Sequence, residues 1–245
     1  MMRMDALRKA WNELPLVSLE EMLRGRVPLI VAPHPDDETL GCGGLIAQLC
    51  AAGTPPHVVI LTDGCLSHPN SVTHPPEKLR HMREEEAREA LHVLGLPHGY
   101  TWFLGHADHE MPSAGPAYQF AARRIAGICE SHGCNLIIAP WQHDPHTDHV
   151  AAATLAEHVA VREGLPLLSY PISGWALPDE TEVDELPAHG YRLDIAEQID
   201  LKQQAIMTHQ SQYGDVIHDC RGNASPEMDV VMAVMRRPVE TYLAS

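Results

Sequence analysis

Cations are scarce in this chain of 245 residues: 17 Lys and Arg stand against 33 Asp and Glu, for a formal net charge of −16. Such an excess of negative charge repels phosphate backbones and anionic headgroups, which excludes nucleic acid and membrane surfaces as main partners. Long apolar runs are missing too. Arg3, Asp5, Arg8, Lys9, Glu13, Glu20 and Glu21 interrupt the first 26 residues, so no export-type apolar stretch lies there, and no later segment is long enough to span a bilayer. The expected location is the cytoplasm. Cys42, Cys50, Cys65, Cys129, Cys134 and Cys220 form no CxxC pair and no regular spacing, which argues for reduced, mostly buried thiols rather than a disulfide framework or a thiolate metal site. No repeat period and no low-complexity tract is visible. The glycine cluster Gly41 to Gly44 (GCGG) lacks the GxGxxG spacing of a dinucleotide loop and points to close helix packing instead.

What is present is a chain with 44% hydrophobic residues, enough to bury one large core. The expected organisation is a single domain over 1–245: a helical extension over 1–26, a core over 27–165, and a part over 166–245 that completes the pocket. Short apolar runs alternate with helical periodicities, the pattern of an α/β fold with a Rossmann-like, mostly parallel sheet and helices on both faces. Strands are expected at Pro28 to Ala32, His57 to Gly64 with its turn, about Thr101 to Leu104, and Asn135 to Pro140. LLSYPIS and YRLDIA read as later strands. Helices are expected up to Gly25, with Ser18 and Glu21 in capping-box spacing, then from about Leu40 to Ala52, through the charged segment ending at Gly95, over Ala117 to His132, over His149 to about Glu163, and over Glu197 to Gln210. Pro178 to Pro187 reads as a surface loop.

Histidine is abundant, with 17 copies, and two groups of histidine and aspartate follow expected strands. His34, Asp36 and Asp37 sit in a strand-to-helix turn. A helix dipole alone explains acids in that position, but it does not explain His34. The second group, WQHDPHTDH, places His143, Asp144, His146, Asp148 and His149 within seven residues, denser than capping requires. In an open parallel sheet ligands bind beyond the carboxyl ends of the strands, so both groups can meet in one crevice. Two imidazoles and one carboxylate, with a position left for water, form a catalytic zinc site, and His34, Asp37 and His149 can supply that set. Asp36 and Asp37 are adjacent on a turn and point in different directions, so they are expected to perform different tasks.

These residues carry a family likeness. HPDDETLGCGG, then TDG, then R-x-x-E before ALHVLG, then H-x-D-H, resemble the LmbE/PIG-L-like N-acetyl-sugar deacetylases over about residues 28–212. The resemblance implies a Zn2+ enzyme with His34, Asp37 and His149 as ligands and Asp36 as the general base. It implies that His146 polarises the amide carbonyl or stabilises the oxyanion, while Asp148 fixes an imidazole, although a helix-start carboxylate also describes Asp148. Thr147 stands where the family often has proline.

Substrate contacts are expected from Arg83, Asp63 and Asp108. Two have plainer alternatives, an i,i+3 ion pair of Arg83 with Glu86 and a simple Asp63-Gly64 turn, while His106 and His109 beside Asp108 read as surface residues or a site for adventitious metal. KQQAIMTHQSQ resembles the family's C-terminal pattern and places His209 and Gln212 near the pocket rim or at a structural helix terminus. The implied reaction is removal of an acetyl group from the nitrogen of an N-acetylglucosamine-type sugar or conjugate. A zinc amidase on another sugar-linked amide, such as a thiol-sugar conjugate, and a non-catalytic Rossmann-like metal or nucleotide binder are the alternatives. The expected partner is a small amino-sugar or glycoconjugate substrate, and a homo-oligomer is left open.

Overall fold

The computed structural model describes residues 1–184, 189–220 and 227–244. In chain order these form β1 (Met2–Arg3), α1 (Met4–Glu13), β2 (Leu16–Val17), α2 (Leu19–Leu23), β3 (Pro28–Ala32), α3 (Asp37–Ala51), β4 (His57–Thr62), α4 (Pro76–Val93), β5 (Thr101–His106), α5 (Gly115–His132), β6 (Leu136–Pro140) and α6 (Thr147–Glu163). Then come β7 (Leu167–Tyr170), β8 (Glu182–Val183), β9 (His189–Asp194), α7 (Ile199–Ile206), α8 (Gln210–Tyr213), α9 (Glu227–Met235) and β10 (Val239–Ala244).

The main sheet runs in the order β2-β9-β10-β7-β6-β3-β4-β5. Strands β7, β6, β3, β4 and β5 are parallel to their neighbours in that run. Alternate residues of the central strands serve opposite layers. Ile30, Ala32, Val58 and Ile60 pack with α3, α4 and α7, whereas Leu29, Val31, Val59 and Leu61 pack with α5 and α6. A strand buried on both faces must be apolar throughout, which is why PLIVA and LIIAP read as unbroken runs.

The chain leaves β3 towards β4 and β5, then crosses back to place β6 on the other side of β3. That reversal opens a crevice beyond the carboxyl ends of β3 and β6, and the two histidine-aspartate motifs follow those two strands. Three local devices hold the surroundings. Ser18 and Glu21 form the expected capping box on α2. Gly41, Gly43 and Gly44 let α3 approach Tyr170, Lys202 and Ile195, positions where a β-carbon meets those side chains, so GCGG serves close packing. Trp11 of α1 stacks edge-on against Trp141 at 5.1 Å, bracing the root of the second motif.

The C-terminal third departs from expectation. β10, which no sequence pattern marked, is antiparallel to both β7 and β9, so the sheet is mixed. Its Glu240 is buried and breaks the apolar alternation of VETYLA. One carboxylate oxygen accepts from Gly44 N and from Lys202 Nζ, each at 2.7 Å, and the other from Leu45 N at 2.9 Å and Tyr242 Oη at 2.7 Å. The helix expected over Glu197 to Gln210 is divided into a 3-10 turn at Ala196–Gln198, α7 and the short α8. The loop expected from Pro178 contains β8, paired with β1, while Pro187 lies outside the described residues. Among the described residues no helix is long and apolar enough to cross a membrane.

Candidate active site

The turn after β3 is the strained part of the site. Asp36 has φ of 140°, a region that L side chains rarely adopt, and its carbonyl accepts the amides of Thr39 and Leu40 to start α3. That backbone sends consecutive carboxylates to different partners. Asp37 Oδ2 lies 3.1 Å from His34 Nδ1 and 3.2 Å from His149 Nε2. Asp36 turns the other way: its Oδ1 pairs with Arg83 at 3.2 Å and its Oδ2 accepts from Tyr213 Oη at 2.7 Å.

Helix α6 begins at Thr147, two residues earlier than expected, because His146 serves as its N-cap, with Nδ1 accepting the Asp148 amide at 3.2 Å. The first turn of α6 therefore presents His149 towards Asp37. Each ring has a carboxylate on its other nitrogen. His149 Nδ1 lies 3.3 Å from Asp144 Oδ1, and His34 Nε2 lies 3.2 Å from Asp148 Oδ2 and 3.3 Å from Asp108 Oδ1. Burial works to lower the His149 pKa, yet Asp37 and Asp144 raise it to about 10. Burial likewise pushes Asp37 up, but His149 and His34 hold it well below the usual carboxylate range.

This is an environment built for a cation. The donor contacts of 3.1 and 3.2 Å from Asp37 to His34 and His149 are close to the edge of a tetrahedron whose bonds are about 2.0–2.1 Å long. His34, His146 and His149 also bring ring nitrogens within 4.8 Å of one another, as do His34, Asp108 and Asp148 their donor atoms. A buried set of nitrogen and oxygen donors, with carboxylates orienting the rings from behind, suits a divalent metal.

The family described as GlcNAc-PI de-N-acetylase, PIG-L, matches residues 29–160, from β3 through most of α6. The chain belongs to this PIG-L family. It is a deacetylase, a hydrolase of the amide bonds of N-acetyl sugars. It is 29% identical over 192 residues to diacetylchitobiose deacetylase of Thermococcus kodakarensis, covering 76% of this chain and 69% of the relative. Among solved structures it superposes on N,N'-diacetylchitobiose deacetylase from Pyrococcus horikoshii with a TM-score of 0.69 at 20% identity, over 98% of this chain and 90% of the other. GalB, the 4-carboxy-2-hydroxymuconate hydratase of Pseudomonas putida, is also similar, with a TM-score of 0.63 at 20% identity, over 89% of this chain and 95% of the other. The last comparison shows that the fold alone does not fix the reaction.

In this PIG-L chain the metal-type residues line a cavity of about 440 Å³. Several expected substrate contacts take other positions. Asp63 is absent from the cavity wall; its Oδ1 accepts the amides of Cys65 and Asp108, because the turn after β4 folds its side chain back on the backbone. Asp108 lines the cavity but lies against His34 and accepts the Leu66 amide at 2.9 Å. Arg83 lines the cavity with its guanidinium engaged by Asp36 and by the carbonyls of Gly64 and Pro35. It forms no solvated pair with Glu86, which is buried and accepts from the amide and hydroxyl of Ser211. His109, expected at the surface, lines the cavity with φ of 62°. His209 is fully buried, while Gln212 reaches the cavity. Tyr213 had no place in the sequence reading, since its partner Asp36 is 177 residues away.

Proposed function

We propose that the chain removes the acetyl group from the amide nitrogen of an N-acetylglucosamine-type unit, using zinc held by His34, Asp37 and His149. The observation that carries the reading is the division of the two adjacent acids: Asp37 faces two imidazoles, whereas Asp36 faces the cavity between Arg83 and Tyr213. A protein that only stored an ion has no use for a strained turn that holds a second carboxylate beside the donors. When bound, zinc in such a site polarises the amide carbonyl and makes water acidic enough to attack near neutral pH.

Asp36 accepts the proton of the attacking water and later delivers it to the departing amine. Arg83 and Tyr213 fix its orientation. His146 accepts the Asp148 amide at Nδ1, so the neutral ring carries its proton on Nε2 and donates to the carbonyl oxygen as negative charge develops. Asp148 positions rather than reacts: its carboxylate lies against His34 Nε2 and accepts the amides of His109 and Met111. Asp108 orients His34 from the same side. Six free cysteines fit a reducing compartment, and the cytoplasm is the proposed location.

The test is direct. Zinc-loaded protein is incubated with N-acetylglucosamine and N,N'-diacetylchitobiose, and free amine and acetate are both quantified. Equal release of the two, abolished by chelation and restored by zinc, is expected. Stoichiometric zinc with no acetate release from any N-acetyl sugar identifies a binder instead.

A further inference from the structure

The residues proposed for chemistry up to His149 lie inside the family match of 29–160, and much of the remaining cavity wall lies outside it. Apart from Ser173, Gln212 and Tyr213, that wall is apolar. Ile172, Ala176 and Leu177 come from the turn after β7 and Val230 and Val231 from α9, while Leu66, from the loop after β4 and inside the match, adjoins them. No Lys or Arg other than Arg83 lines the cavity among the described residues, and the Arg83 guanidinium is already engaged by Asp36 and two carbonyls. Asp36, Asp37 and Asp108 give the same cavity carboxylates at its metal end.

A sugar ring with its hydroxyls does not need six aliphatic side chains. Ile172, Val230 and Val231 are largely covered by the core, whereas Leu66 and Leu177 are half-buried and Ala176 is exposed, and an occupant that covers these gains affinity in proportion to the apolar area removed from water. With zinc in place, the metal and Arg83 offset the three carboxylates, so among the described residues the cavity offers no excess positive charge to a phosphate or carboxylate substituent. Resting on the deacetylase reading above, we infer that the substrate is an N-acyl amino sugar bearing a neutral apolar group, held by the wall of Leu66, Ile172, Ala176, Leu177, Val230 and Val231. The apolar group enters either as the aglycone or as an acyl chain longer than acetyl, and the same wall serves both.

The experiment uses zinc-loaded full-length protein and two substrate series. In one, methyl, propyl and pentyl glycosides of N-acetylglucosamine lengthen the aglycone. In the other, N-acetyl, N-propanoyl and N-butanoyl glucosamine lengthen the acyl chain. N-acetylglucosamine 1-phosphate is the charged comparison. In one series kcat/KM is expected to rise about fourfold per buried methylene, which also tells where the chain lies, and the phosphate should be the poorest substrate. Ala176→Asp, at an exposed position on the wall, should pull the ratio of longest to shortest substrate in that series towards one. Both series flat, an unchanged ratio in Ala176→Asp, or the phosphate outrunning the methyl glycoside overturns the inference while leaving the deacetylase reading intact. Turnover of no N-acyl sugar overturns the deacetylase reading, and the inference with it.

Discussion

Asp36 holds a backbone conformation that costs a non-glycine residue about 1–3 kcal/mol, so the turn is maintained against a local penalty by what it positions. Replacing Asp36 with Asn keeps the shape and removes the proton acceptor. Zinc content should stay near one per chain while kcat falls about 10²–10⁴-fold. Asp37→Ala removes a donor, so its activity should depend on added zinc. Metal analysis beside amine release separates the two, and wild-type turnover in Asp36→Asn sinks the assignment. Asp144 orients His149 through its outer nitrogen. Losing that contact in Asp144→Ala should weaken zinc about 10–100-fold in a chelator competition, and an unaltered affinity excludes the role. The residue types of the site were legible because His34, Asp37 and His149 lie close behind two apolar strands. The duties of Asp144, Asp108 and Asp63 were not, since each depends on which way a turn folds its side chain. Tyr213 left no trace, because no local spacing connects it with Asp36.

Helix α3 links the site to the core through its missing side chains. A methyl group on Gly44 meets Ile195, deep in the packed interior, so Gly44→Ala should lower stability by about 1–3 kcal/mol despite its better helix propensity. Gly127 on α5 has nothing within 4 Å of an added β-carbon. There the same change should stabilise by up to about 1 kcal/mol. Urea unfolding of the two variants gives opposite signs if packing decides, and the same sign if propensity does. The central strands and the bodies of the long helices could be read from apolar patterning. Helix starts could not: Asp37 to Thr39 and Thr147 to Asp148 look like loop because they are runs of polar residues, and only Asp37 among them faces the cavity. β10 was hidden for a related reason, a buried carboxylate in the middle of an otherwise apolar strand.

Charge on the molecule as a whole makes stability depend on pH at a place remote from the site. His57 begins β4, at the end of the strand opposite the cavity, and burial, with His132 beside it, pushes its imidazole down to about 4. In the unfolded chain it titrates near 6.5. Below that pH the unfolded state takes up a proton that the native state refuses, so the His57 contribution is present above about pH 6.5 and is lost as pH falls towards 4. Thermal unfolding of His57→Phe should therefore lose less stability than the wild type across that interval, and parallel curves rule the effect out. The broad architecture was legible from the alternation of strands and helices, whereas the mixed character of the sheet came from long-range partners. One of those partners, Glu240, ties together segments that lie far apart along the chain. The carboxylate that takes the Gly44 amide is made 196 residues later in the chain, and Lys202 arrives in between. The anchor of α3 on β10 thus closes across 196 residues, so it carries a loop-closure cost that the helix's own local bonds do not.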